Sequence, residues 1–232
     1  MPSWGMKLYF IIALAFLGLS IACVPNKPAL SSPANSNTPI SQADRPTSSA
    51  EQTSTNCSLR MAAAPVLNGL ALGITQEEAL SLFPGSKDDS EVHAFLSRPP
   101  SQFGVSELVI RPAKFESKEK YKGIGQITFN LLDGRVSNFT IGYNGPQYAH
   151  VDEFVTKFVE GTILPPADQW AAYAGMDSQM KTLTCKDFEI RIFAGGEGGS
   201  LNYVLMRDLE ADKKLKDRRA KAKAQASPTP TP

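Results

Sequence analysis

Eighteen residues around an Asp-Gly pair restrict this chain more than any others. Before the pair, Ile127, Phe129 and Leu131 alternate with Gln126, Thr128 and Asn130. After it, Phe139, Ile141 and Tyr143 alternate with Asn138, Thr140 and Gly142. A period of two on both sides of a turn dipeptide predicts an antiparallel hairpin with one buried face. The turn follows from parity. A two-residue loop pairs Leu132 with Arg135 and sets Phe129 against Asn138, which mixes the faces. A three-residue loop, Leu132-Asp133-Gly134 with Gly134 left-handed in a bulge, pairs Ile127 with Phe139 and aligns them. The bulged loop is therefore the expectation.

Other elements gather around this hairpin. Thr75 with Glu78 three residues on is a capping box, and it opens a short helix that Pro84-Gly85 stops. Residues 88–101 read as a charged loop, Val105–Arg111 as a strand, and 112–122 as an exposed charged connection. From about Ala149 to Glu160, Val151, Phe154, Val155, Phe158 and Val159 form one apolar stripe, and Gly161 follows as the terminator. Trp170-Ala171-Ala172-Tyr173 reads as a short helix or loop. Three strands close the domain, Lys181–Cys185, Phe188–Ala194 and Leu201–Arg207. The order helix then three strands occurs twice. The expected fold is α+β, an antiparallel sheet of about six strands with helices on one face and the other face partly open.

The ends are different in kind. Lys7 precedes an apolar run from Leu8 to Ala22, too short to span a bilayer comfortably and suited to the core of a secretory signal. It ends in Ser20-Ile21-Ala22-Cys23, which resembles the lipobox of bacterial lipoproteins, although Leu19 stands one place before the family's aliphatic position. The resemblance implies cleavage after residue 22 and acylation of Cys23, hence a lipid anchor in the bacterial cell envelope. An ordinary signal cut near Ala22 and a short membrane anchor are the alternatives. Residues 24–56 are rich in Pro, Ser, Thr, Asn and Ala, a composition expected of a disordered linker. The globular domain is then 57–208. Residues 209–225 are helix-forming and mostly basic, and 227–232, which alternate Pro with Ser or Thr, read as a disordered end. The basic run reads as a solvated helical tail or as a contact for anionic headgroups or cell-wall polymers.

With Cys23 acylated, Cys57 and Cys185 remain. In an exported protein one disulfide between them is the simplest outcome, and two buried free thiols the alternative. The formal net charge is +1, which points away from nucleic acid. Catalytic signals are thin. His93 and His150 stand in no metal-binding spacing, no nucleophile elbow occurs, and Glu77 and Glu78 are adjacent and so diverge on a helix. No cofactor or metal is implied. Gly195-Gly196-Glu197-Gly198-Gly199-Ser200 joins two strands rather than opening a helix, as a hairpin tip does. Trp170 and Tyr173 are either core or an aromatic anchor.

The segment Leu72-Gly73-Ile74-Thr75 through Leu80 resembles small envelope lipoproteins of the outer-membrane assembly lipoprotein E type. Their relatives include the tandem modules of β-lactamase-inhibitor-protein-like proteins. Pro84-Gly85 departs from the Leu-Gly-x-Pro that closes the family's segment. The resemblance implies an α+β fold and a non-enzymatic protein, and identifies no partner. Export, the linker and the thin catalytic signals make a lipid-anchored binding or scaffold module for an unknown envelope protein the expectation. Candidate contact residues are Trp170, Tyr173, Gly196, Glu197 and Gly198. The alternative function is an inhibitor or sensor that captures a soluble enzyme or a small ligand.

Overall fold

In the computed structural model the hairpin is β2 (Ile124–Leu132) and β3 (Arg135–Tyr143). Residues 57–146, 148–173, 179–195 and 202–226 are described. The expectations for 1–56, including Cys23, for the tip at Gly196–Ser200, and for 227–232 lie outside them.

The turn corrects the bulged-loop expectation. Leu132 pairs with Arg135, so Asp133 and Gly134 alone make the turn. Both are left-handed, at φ 54° and 77°, the conformation a two-residue hairpin turn requires of its central pair. The parity problem is solved two residues later. Leu131 faces Val136 and Asn130 faces Asn138, which leaves Ser137 as the extra residue of a bulge. Its hydroxyl donates to the Asn130 carbonyl at 3.0 Å. Phe129 then faces Phe139 and Ile127 faces Ile141, all four fully buried. The bulge also lets the backbone of β3 change neighbours. Val136 exchanges hydrogen bonds with Gly73 and Ile74 at 2.8 Å each, whereas β3 from Asn138 onward pairs with the last strand.

The remaining strands are β1 (Val105–Ile110), β4 (Ala171–Ala172), β5 (Met180–Thr184), β6 (Phe188–Phe193) and β7 (Asn202–Asp208). All pairs are antiparallel, in the order β1-β2-β3-β7-β6-β5-β4. The sheet has seven strands rather than six because Ala171–Ala172, expected in a helix or loop, pairs with β5 as a two-residue edge. β1–β3 and β5–β7 are two meanders, each preceded by helix, whose last strands meet as the β3–β7 pair at the centre.

Helices cover one face. α1 (Gln76–Ser81) has its full capping box. The Glu78 N–H donates to Thr75 Oγ1 at 3.2 Å, and the Thr75 N–H to Glu78 Oε2 at 2.7 Å. Ala79, Leu80 and Phe83 are buried, and Gly85 takes φ 81° after the stop. The expected loop 88–101 instead contains α2 (Ser90–Leu96), capped by Asp89, which accepts from the Glu91 and Val92 N–H groups at 3.0 and 3.1 Å. It is only seven residues long and fully buries a single one, Val92, so it left little periodic signal. α3 (Val151–Val159) buries Val151, Phe154 and Val155 as its stripe requires. The charged connection 112–122 is two short 3₁₀ turns, not a loose strand of chain. It buries Phe115 and Tyr121, with the Tyr121 ring 4.8 Å from Phe83 and its hydroxyl donating to the Asn68 carbonyl at 2.9 Å.

Cys57 and Cys185 form the expected disulfide across 128 residues. It ties the start of the domain to the β5–β6 turn, where the Met61 N–H also donates to Asp187 at 3.0 Å. One apolar cluster runs from Cys57 to Met206. α4 (Leu209–Ala226) continues from β7 and contributes no buried residue. It is fastened at the β2–β3 turn, where Lys214 and Arg218 donate to Asp133 at 2.8 Å.

Candidate functional site

The strand pairings fix what the uncovered face carries, because residues directly opposite one another share a side. One row across it reads Met180, Phe193, Tyr203, Gly142 and Gln126. The next reads Ala171, Thr182, Arg191, Leu205, Thr140, Thr128 and Val109. The third reads Thr184, Glu189, Arg207, Asn138, Asn130 and Glu107. Most of these side chains are half-buried or exposed, so this side of the sheet meets solvent.

Its aromatic content is concentrated at one end. Phe193 and Tyr203 stack at 5.0 Å and 15°. Tyr173, which follows β4 and donates its N–H to the Met180 carbonyl at 3.1 Å, lies 5.0 Å from the Arg191 guanidinium. Arg191 Nε is 2.8 Å from Glu189, and Arg207 Nη1 is 3.9 Å from the same carboxylate oxygen. The two guanidiniums share one carboxylate, so the cluster carries one net positive charge, with the Arg191 cation held against the Tyr173 ring. Burial raises the Tyr203 hydroxyl above its ordinary pKa, against the opposing pull of Arg191. Beside Tyr203, Gly142 leaves a notch. A Cβ built there would meet only the Gln126 carbonyl within 4 Å, at 3.7 Å. An aromatic wall beside a bare stretch of backbone, rimmed by Asn, Thr and Gln, has the mixed apolar and polar make-up of a protein or peptide surface.

Alternation along β4 separates the two aromatics that the sequence grouped together. Trp170 turns into the core, 3% exposed, with its indole N–H donating to the Pro165 carbonyl at 2.9 Å. Tyr173 stays on the open face, 36% exposed. Gly196, Glu197 and Gly198 lie outside the described residues. Phe193, Tyr203 and Arg191 were missed as site residues. Their alternation with Phe188, Ile190 and Ile192 was visible, but which side would stay uncovered depended on where the helices packed.

Two concavities lie elsewhere. A groove of about 440 Å³ opens between α3 and the end of β3, walled by Tyr143, Tyr148, Phe154 and Phe158. Tyr148 stacks on Phe154 at 4.8 Å, and burial pushes the Tyr143 hydroxyl up to about 12. Val66 on its rim is 64% exposed. A second hollow of about 620 Å³ lies between α4 and β3, with Arg135, Lys213, Lys214, Arg218 and Lys221 among its lining.

His93 sits on α2 with Nδ1 3.3 Å from Ser97 Oγ, and His150 immediately precedes α3. Among the described residues no three His, Cys, Asp or Glu side chains are grouped to hold a metal ion. No described helix is long and apolar enough to cross a membrane.

No protein-family model and no curated protein matches the chain. One solved structure similar to it is an extracellular protein containing an SCP domain from Bacillus anthracis, at 16% identity and a TM-score of 0.37. The match covers 67% of this chain and 49% of that one, so this chain spans about half the length of that protein.

Proposed function

We propose that this is an exported protein, anchored through lipid at Cys23 to the bacterial cell envelope, whose domain binds another envelope protein without catalysing a reaction. The observation that carries the reading is the uncovered aromatic cluster of Tyr173, Phe193 and Tyr203 beside the Gly142 notch. Aromatic side chains left at a surface cost little to order on binding and anchor interfaces well. Export is supported by the apolar run ending in Ala22-Cys23 and by the Cys57–Cys185 disulfide, a bond that persists in oxidising compartments.

The test is cross-linking in the native envelope, with the wild type beside Cys23→Ala and Phe193→Ser/Tyr203→Ser. The expected result is a defined cross-linked partner that the double variant loses while keeping its thermal transition. A partner retained by that variant would remove the open face from the interface. Failure of Cys23→Ala to leave the membrane fraction would remove the lipid anchor.

A second reading, a sensor domain for a small apolar ligand, is favoured by the groove at Tyr143, Tyr148 and Phe154. Its size and aromatic walls fall within the range of small-molecule sites. Saturable quenching of tyrosine fluorescence by such a ligand, abolished by Phe154→Ala, would decide for it.

A further inference from the structure

The C-terminal helix concentrates the positive charge of a nearly neutral chain. Lys213–Lys223 contains seven basic residues and one acidic one, Asp217, although the whole protein is only +1. α4 has no apolar face to insert into lipid, since beyond Leu209 at its first position its half-buried apolar residues, Ala211, Leu215 and Ala222, lie on the side of Arg218. That side is turned to the body of the domain, where Arg218 donates to Asp133 and to the Phe103 carbonyl. Helical spacing therefore places Lys213, Lys216 and Lys223 away from the attached side, and all three are exposed. Lys216 is paired with Asp212 within the helix at 2.8 Å.

We propose that the outward side of α4 rests on an anionic lipid bilayer through headgroup electrostatics alone. The inference rests on the lipid-anchored reading for bringing the helix to a membrane. The 33 residues between Cys23 and Cys57 keep the domain within about 100 Å of the surface even at full extension. At that proximity a weak surface affinity suffices to hold the domain down. The complementarity is specific. A basic stripe without apolar side chains has affinity for negative headgroups and none for a neutral bilayer, and its hold weakens with salt. The fastening at Asp133 holds the helix rigidly to the sheet, so the bilayer contact orients the domain as well as retaining it.

The experiment uses the processed chain from Val24 onward, without Cys23 and so without lipid. Failure of acylation and failure of the surface contact are then distinguishable. Sedimentation with vesicles containing 30% phosphatidylglycerol, an assay composition, is compared with vesicles of phosphatidylcholine alone, at low and at physiological salt. The expected result is binding to the anionic vesicles only, weakening as salt rises. Lys213→Gln, Lys216→Gln and Lys223→Gln should each lower the partition coefficient about fivefold, and the triple variant on the order of 100-fold. Equal binding to both vesicle types, or no binding to anionic vesicles at low salt, would overturn the proposal. So would a triple variant that binds as the wild type does.

Discussion

Arg218 grips Asp133 with both terminal nitrogens, Nη1 to Oδ1 and Nη2 to Oδ2, each at 2.8 Å. The two residues are 85 positions apart, and the pair joins the C-terminal helix to the tip of the central hairpin. Asp133 can present its carboxylate there because it is left-handed in a turn whose conformation Asp and Asn tolerate. Hydrogen bonds from Arg218 first and Lys214 second hold the carboxyl well below the usual carboxylate range.

Asp133→Asn should release α4 without disturbing the hairpin, because Asn-Gly suits the same turn. The pair is exposed, so the thermal transition should hardly move. Amide exchange across 209–226 should quicken several-fold. In the wild type the fastening should be complete at neutral pH and persist as the pH falls to the ordinary carboxylate value near 3.8. Below that value its contribution should be lost, since the folded group protonates only in stronger acid. Loss of α4 protection near pH 6 would contradict this.

At the other extreme of pH, Tyr143 should govern stability. Burial raises its folded pKa to about 12, against 10.0 unperturbed. Its neutral hydroxyl favours the fold fully below pH 10, and that contribution declines as the pH rises from there through 12. Tyr143→Phe should therefore flatten the fall in melting temperature across this window. A spectroscopic titration should show one fewer late-ionising tyrosine.

The Ser137 bulge predicts opposite outcomes for two deletions in one strand. Removing Ser137 leaves Asn130 opposite Asn138 and Phe129 opposite Phe139, so the domain should still fold, with a lower melting temperature. Removing Thr140 drives Ile141 to the open face and breaks the pairing of β3 with both neighbours. That variant should show no cooperative thermal transition.

Two stabilities can be read directly. Thr75→Ala should cost about 1 kcal/mol through loss of the helix cap. Replacing both Cys57 and Cys185 with serine should cost at most about 4–5 kcal/mol, the chain-entropy figure for so long a loop. Denaturant titrations measure both. A double-serine variant as stable as the wild type would mean that the bond constrains little of the unfolded chain.

The parts of this fold legible in the sequence were those where one rule acted alone. The Thr75 cap, the stripe from Val151 to Val159 and the alternation around Asp133-Gly134 each follow from local chemistry. The turn was missed because parity can be restored in two places, and only the contact of Val136 with Ile74 favours placing the extra residue at Ser137. α2 and the turns at Phe115 and Tyr121 were missed because one or two buried side chains among many charges leave no period to count. The open face was expected, but its occupants depended on tertiary packing. The strand at Phe188–Phe193 alternates cleanly, and nothing within it says which side the helices will take.

The central place of β7 has a consequence for when this protein can exist as a folded body. The strand that joins the two meanders is the last of the described strands in chain order, Asn202–Asp208. A nascent chain that has emerged as far as residue 195 holds one meander and two strands of the other, with no β7 to join them. The core therefore closes only once β7 is available, after every other described strand. Such an order suits a chain that must be threaded across a membrane before it becomes compact.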